Sequence, residues 1–267
     1  NGGRLYIDMG HVEYATPECR GLFDLVASDR AGEVILQRAL QQLELPDDAG
    51  FFKNNIDHYT GATFGCHENY LVRRDVPFSE VLVPAILPFF VTRQIYAGSG
   101  RVGCHTDIFE SGSGDEGEVT FQISQRADHI VTDFYQWIQF SRAIINTRDE
   151  PLADWSLYRR LHLLVGDSNM SEYATALKVG TTAMMLELLE ERIVPDVKLH
   201  KEVKAIRDIS RDLTCKWEVQ LEDGRYTTAT EIQAEYLELA ERYLRGKDPE
   251  GDWVLNEWRL VLDALRH

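Results

Sequence analysis

Basic residues are in short supply: 28 Lys and Arg stand against 44 Asp and Glu, a formal net charge of −16. Nucleic-acid binding needs a basic footprint, so that class of function is excluded as a working reading. Cysteine is scarce too. Cys19, Cys66, Cys104 and Cys215 are far apart and form no paired motif, which argues against a disulfide framework or a zinc site and fits reduced thiols in a cytoplasm. No apolar run approaches the ~20 residues of a membrane span, and no signal-peptide pattern opens the chain, so no membrane association is expected. The Asn169-Met170-Ser171 sequon then carries no meaning. There is no internal repeat. An initiator Met is also missing: the chain opens in a turn and closes inside an amphipathic helix at 253–267. That predicts a piece cut at both ends from a longer protein.

What the chain does have is 267 residues, 44% of them hydrophobic, enough for one large domain or a large domain plus a small one. Alternation begins at once. Arg4, Tyr6 and Asp8 fall on one face of a strand, and Leu5, Ile7 and Met9 on the other. Four later segments alternate in the same way. They are 66–72, with His67, Asn69 and Leu71 together; 119–126, with Ser124 and Arg126; 143–148, with Asn146 and Arg148; and 160–165, with His162 opposed to Leu161 and Leu163. The five are expected to form one polar sheet face lining a trough.

Start and stop signals predict the other elements. Thr16-Pro17-Glu18 marks a helix start, and 29–43 a second helix on the stripe Val34, Ile35, Leu36, Leu40 and Leu43. A short strand is expected at 51–55, and two short helices over 79–96, where Pro84 and Pro88 interrupt. Gly98-Ser99-Gly100-Arg101-Val102-Gly103 fits G-x-G-x-x-G, yet it follows a helical stretch and opens no helix. It reads as a flexible turn rather than a dinucleotide fingerprint. Residues 111–118 read as a surface loop. Residues 128–140 read as a helix with Ile130, Val131, Phe134 and Trp137 inward, and 172–191 as a long helix burying Ala174, Leu177, Met184, Met185 and Leu188. Trp217, Val219 and Leu221 lead into a hairpin turn at Asp223-Gly224, and Thr228 to Glu231 is a capping box opening a helix through Tyr243.

The polar face would carry Arg4, Tyr6, Asp8, His67, Asn69, Arg126, Arg148 and His162, with Glu13 just past the first strand. So many ionisable groups are buried together only if they neutralise one another or bind something. Carboxylate, phenol and imidazole suit a hard divalent cation such as Mg²⁺ or Mn²⁺. Two arginines suit a phosphate, and the combination suggests phosphoryl chemistry. Plainer readings stand beside this one. His67 and His162 fit core histidines bonded to carbonyls, Arg126 and Arg148 fit structural bridges to Asp128 or Asp149, and Tyr6 fits a core aromatic.

A set of ordered motifs adds to the pattern. They are Arg4-Leu5-Tyr6-Ile7-Asp8 with His11-Val12-Glu13-Tyr14; Phe52-Lys53-Asn54-Asn55; Cys66-His67-Glu68-Asn69-Tyr70-Leu71; and Val91-Thr92-Arg93-Gln94. Then come Ile123 to Asp128, Ile145-Asn146-Thr147-Arg148-Asp149-Glu150-Pro151, and Arg160-Leu161-His162 through Gly166-Asp167-Ser168-Asn169-Met170. Over nearly the whole chain these resemble the Pup ligase / Pup deamidase family. Its members are carboxylate-amine ligase relatives of glutamine synthetase acting on the prokaryotic ubiquitin-like protein Pup.

The resemblance implies an α+β fold, with a curved antiparallel sheet forming a trough backed by helices and a small C-terminal domain after it. One incomplete catalytic domain over 1–267 is expected, with 228–267 leading into the missing C-terminal part. ATP and Mg²⁺ are implied in the trough, and Pup and pupylated proteins as partners. Tyr6, Glu13, His67 and His162 match metal ligands; Asn69, Arg126 and Arg148 match the surroundings of the nucleotide phosphates; Asp8 matches the catalytic aspartate. In the deamidase branch that aspartate is nucleophile or water activator, and in the ligase branch it deprotonates a lysine.

The marks of the two branches are mixed. The four-residue link Met-Gly-His-Val between Asp8 and Glu13, Phe89 to Gln94 with Gly100-Arg101-Val102-Gly103, and Glu172 to Thr175 with Val179 to Thr182 resemble the deamidase. Cys66-His67, Val72-Arg73-Arg74 and Ala127-Asp128-His129 resemble the ligase. The expectation is an ATP-dependent depupylase/deamidase. The alternatives are the ligase, working through a γ-glutamyl phosphate, and a non-catalytic Pup- or nucleotide-binding relative. Val12 replaces a usual Pro, Leu152 replaces a usual His, and the loop 57–65 looks long. The family's opening strand, which brings two metal-binding glutamates, is absent.

Overall fold

The structure is a computed structural model that describes residues 2–8, 10–43, 45–46, 49–57, 60–103, 121–135 and 142–266. Its first two strands, β1 (Arg4–Asp8) and β2 (His11–Ala15), form an antiparallel hairpin that puts Tyr6 opposite Glu13 and Asp8 opposite His11. The connecting turn uses Gly10 at φ 86°, the left-handed region open to glycine. One long helix, α1 (Leu22–Gln42), follows.

The central sheet has the order β3 (Glu68–Arg73), β8 (Tyr158–Leu163), β7 (Ala143–Asn146), β6 (Thr132–Tyr135). Alternation decides its faces. Val72, Leu161 and Leu163 point into the core, so His67, Asn69, Arg160 and His162 fall on the other side. Between β3 and β6 the chain forms a π-helical turn (Phe78–Leu82), α2 (Val83–Thr92), α3 (Gln94–Ala97) and the two-residue strands β4 (Arg101–Val102) and β5 (Phe121–Gln122). Helix α2 is buried almost all round, and that is why it can be apolar on every face. Helices α4 (Glu172–Glu190), α5 (Glu202–Arg211), α6 (Ala229–Leu244) and α7 (Pro249–Leu265) complete the core, with the hairpin β9 (Glu218–Gln220) and β10 (Tyr226–Thr228) between α5 and α6. The last two helices share that core: Tyr236 donates to the Ala85 carbonyl at 2.7 Å, Gln233 Nε2 to the Phe89 carbonyl at 3.0 Å, and Trp258 stacks edge-on against Phe89.

One polar pair lies within this core. Glu68 points inward beside Val72, where Arg93 at the end of α2 meets both of its oxygens. Arg93 also donates to Thr182 at 2.6 Å, and Tyr70 to Glu68 at 2.7 Å. Burial alone raises the Glu68 carboxyl. The Arg93 and Lys178 cations and the hydrogen bonds overcome it and hold the group below its ordinary value.

Several expectations are corrected. The five alternating segments do not make one sheet: β1 pairs only with β2 and β5 only with β4, leaving three of the five together. The sheet is mixed rather than antiparallel, because β6 and β7 run parallel. The Thr16-Pro17-Glu18 signal starts no helix; α1 opens at Leu22 after Gly21 and absorbs the expected 29–43 helix. Residues 51–54 form no strand, and Ile56 makes only an isolated bridge to Thr63. Of the expected 128–140 helix, the described residues form a 3₁₀ turn (Ala127–His129) followed by β6, and 136–140 lie outside the described residues. Val131, just before β6, and Phe134, within it, are exposed rather than inward. The break in 79–96 falls at Arg93 rather than at the prolines. Pro84 sits in the first turn of α2, where its missing N–H costs nothing, and Thr92 bonds back to the Pro88 carbonyl at 2.7 Å. Arg101-Val102, read as part of a turn, forms β4. Met9, Trp137 and the 111–118 loop lie outside the described residues. The hairpin at Asp223-Gly224, the Thr228 capping box and the 172–190 helix are present as expected.

Replacing Glu68 by Gln keeps the shape but leaves the Arg93 guanidinium uncompensated. The expected cost is about 3–5 kcal/mol, read as a lowered urea midpoint at unchanged slope. An unchanged midpoint would show that the pair is not buried as described.

Candidate functional site

The site is built on one cross-strand row. Asn69 of β3 lies directly opposite His162 of β8, and His162 lies directly opposite Asn146 of β7, so the three side chains share the face away from the helices. His67, two residues before Asn69, joins them: the His67 and His162 rings meet edge-on with centroids 5.0 Å apart. Gly65 permits this, because a Cβ there would collide with the His67 imidazole.

Both histidines are held neutral. Burial pushes His67 down to about 4, helped by the Arg126 and Arg160 charges and opposed by Asp8. Burial also pushes His162 down to about 3, helped by His67, Arg160 and Arg148. Asp8, Arg126, Arg148 and Arg160 therefore stand within electrostatic reach of the imidazole pair.

Arg126 approaches from the 3₁₀ turn rather than from a strand. Its guanidinium is 2% exposed and donates to the Leu164 carbonyl (3.1 Å), Thr63 Oγ1 (2.6 Å) and the Phe64 carbonyl (3.3 Å). All three acceptors are neutral, so the structural bridge to Asp128 is not formed. Asp128 instead accepts from Arg211 at 3.0 Å and faces Arg101 at 3.5 Å. Burial and the nearby Arg142 charge lower Arg126 to about 10, against the opposing pull of Asp167. Arg148 is exposed and pairs with Glu150 at 2.9 Å, not with Asp149. The Asp149 bridge goes to Arg74 at 2.8 Å.

The hairpin supplies the remaining residues. Tyr6 donates to Glu13 at 2.7 Å, and burial with the Glu13 bond raises its phenol to about 12, so it is a neutral oxygen donor at ordinary pH. Asp8 is exposed and has no hydrogen-bond partner among the described residues. Arg4, Tyr6 and Asp8 share a face as expected, but Leu5 and Ile7 on the other face are exposed rather than packed. Two ring contacts hold the hairpin to the body. His11 meets Phe64 at 4.5 Å between centroids, and Tyr14 lies on Gly32 of α1, where any side chain would strike it.

The four expected metal ligands thus appear as two pairs, Tyr6–Glu13 on the hairpin and His67–His162 on the sheet. No group of three or more His, Cys, Asp or Glu able to hold a metal is assembled among the described residues. The donor chemistry still fits a divalent cation: two neutral imidazoles, a phenol and a carboxylate, with the buried Nδ1 of His162 lacking any partner. Sequence reasoning passed over Arg160 and Asn146 as site residues, although the i, i+2 spacing of Arg160 and His162 places them on one face.

Comparison with known proteins gives the family and the fold. The family model for Pup-ligase protein matches residues 1–267. A depupylase of Acidothermus cellulolyticus is 44% identical over 274 residues, covering 99% of this chain and 52% of the relative. A Pup–protein ligase of Acidimicrobium ferrooxidans is 46% identical over 277 residues, covering 100% of this chain and 58% of the relative. The solved structure of the Pup ligase PafA in complex with ADP superposes with a TM-score of 0.83 at 40% identity, covering 99% of this chain and 59% of that one. A structure of PafA in complex with Pup matches with the same TM-score at 38% identity, covering 99% of this chain and 54% of that one. The chain spans about half the length of the curated relatives it matches. It belongs to the Pup-ligase protein family.

Proposed function

We propose that this chain carries the nucleotide-binding and catalytic surface of an ATP-dependent enzyme acting on the C-terminal residue of Pup, and that its direction is hydrolytic. The observation that carries the reading is the exposed Asp8 carboxylate, unpartnered among the described residues and within electrostatic reach of the neutral His67, which itself meets His162. His67, His162, Tyr6 and Glu13 are the residues that would hold Mg²⁺, whose charge would offset that of the nucleotide phosphates. Asn69, Arg126 and Arg148 would orient those phosphates, and a buried guanidinium with neutral acceptors keeps its charge for that purpose. Asp8 would take a proton from the attacking group at the scissile carbonyl. Hydrolysis is favoured by the short link from Asp8 to Glu13, a deamidase-like mark, with Asp8 paired to His11 across a tight turn.

A second reading, ligation of Pup to a lysine, is supported by the comparisons. Pup–protein ligases match as closely as depupylases, and both solved structures are of a Pup ligase. The bond concerned is the same in either direction. What differs is whether water or a lysine amine occupies the place beside Asp8.

The full-length protein, given ATP and Mg²⁺, is expected to release Pup from a pupylated lysine faster than it conjugates Pup ending in Glu. New conjugates with no cleavage would establish the ligase instead. Nucleotide binding with neither reaction would establish a non-catalytic relative. Asp8→Asn is expected to abolish turnover and leave ATP affinity within about twofold, measured by calorimetry. Retained turnover would remove Asp8 from the chemistry.

The histidines make a separate prediction. Their folded values lie below the ordinary 6.5, so the unfolded chain binds more protons and stability falls as pH drops from 6.5 toward about 4 for His67 and about 3 for His162. Thermal midpoints in metal-free buffer should decline across that window, and less steeply for His67→Gln. An equal slope in the variant would place His67 in water.

A further inference from the structure

Asn146 ends β7 opposite His162 and is 1% exposed. Its Oδ1 accepts the Arg148 backbone N–H at 2.7 Å, and this fixes the amide, because a backbone N–H can only donate. The Nδ2 group is then left as a buried donor, and it has no partner. Beside it the Nδ1 of His162, a residue 6% exposed, is also buried without a partner. Next along the same face of β8, the Nε of Arg160 is a third such atom, while its Nη2 donates to the Arg148 carbonyl at 3.2 Å.

Unmatched buried atoms occur elsewhere too, Arg159 Nε on the opposite face of β8 among them; what sets these three apart is their common face. Asp167, for comparison, accepts from the backbone N–H groups of Ser99 and Gln125 and from the Ser124 hydroxyl. An unmatched buried donor costs about 1–3 kcal/mol, so neighbouring ones on a single face signal a missing acceptor. Asn146 Nδ2 and Arg160 Nε only donate. The acceptor is therefore an oxygen. It is an anionic one, because the Arg160 guanidinium that borders it bonds only a carbonyl and Arg126 meets only neutral acceptors, Arg148 alone being paired, with Glu150.

We propose that Asn146 and Arg160 form an oxyanion seat beside the His67–His162 pair, which takes a carboxylate or phosphoryl oxygen of the bound ligand. This seat adds two residues to Asn69, Arg126 and Arg148. The existence of the seat follows from the unmatched donors; naming its occupant as a Pup carboxylate or a nucleotide phosphate rests on the function proposed above.

Asn146→Asp tests it with little change in shape. The variant keeps the acceptor for the Arg148 N–H and exchanges the donor for an oxygen that repels an anion. Arg160→Gln removes the second donor's charge and, lying at the strand surface, guards against a folding failure of the first. Circular dichroism melts establish that each is folded. In the full-length protein, inorganic phosphate is expected to raise the wild-type melting midpoint and to raise that of either variant less. This arm needs no enzymatic activity and reads the seat even if the proposed reaction is wrong. Loss of a charge-assisted hydrogen bond corresponds to about tenfold or more in affinity. A tenfold weaker ADP dissociation constant with unchanged KM for Pup places a phosphoryl oxygen in the seat. A raised KM for Pup with unchanged ADP binding places the carboxylate there. Folded variants with wild-type response to phosphate, ADP and Pup would overturn the proposal.

Discussion

The ion pair between Glu68 and Arg93 is the constraint on which the site depends. Glu68 sits between His67 and Asn69 on one strand and must face the opposite way from both. Its carboxylate is ionised in the core because Arg93 meets it at two oxygens, with Tyr70 donating alongside and the Lys178 charge near. The pair therefore fixes β3 against the end of α2 and, through Thr182, against α4. A slip of β3 by one residue would expose Glu68 and turn Asn69 and His67 inward, leaving Arg93 alone. The register that builds the Asn69–His162–Asn146 row is thus the one register that the buried charges permit.

The distribution of arginines separates support from site. Where an arginine is structural it meets a carboxylate, as Arg93 meets Glu68 and Arg211 meets Asp128. Around the imidazole pair this rule lapses for two of three, while Arg148 still pairs with Glu150. Arg126 has only neutral acceptors, and Arg160 bonds a carbonyl. In a chain with a net charge of −16 neither side chain makes an ion pair among the described residues, although Asp149 and Glu150 lie near Arg160 and Asp167 near Arg126. Low polarity then strengthens the action of these two cations on whatever anion enters. Burial, helped by the same field, holds both histidines neutral.

Much of this was legible in the sequence where alternation was strict. Arg160, His162 and Asn69 lie on the face that their spacing requires, and so do Tyr6 and Asp8 on the hairpin. The capping box at Thr228 and the turn at Asp223-Gly224 are local devices, and local patterns read them correctly. Strand pairing is not local. Nothing in the first strand says that, among the described residues, it bonds only to the second, or that Phe121 and Gln122 join a separate ribbon. Residues 128–135 fail for another reason: their apolar spacing fits a helix, but Thr132, Phe134 and Tyr135 favour a strand once β7 lies alongside. The orphan amide of Asn146 was out of reach as well, because it depends on which atom the Arg148 N–H selects.

The β1–β2 hairpin bonds as a sheet only to itself, and rings rather than backbone hold it to the body. Insertion or deletion in its turn is absorbed within the hairpin and changes no register elsewhere. The carboxylate proposed to react is thereby separated from the inheritance of the core. A lineage can lengthen or shorten this one turn and re-aim Asp8 while keeping every buried contact that folding requires. Enzymes that join and enzymes that cleave then lie a short evolutionary step apart, in either direction.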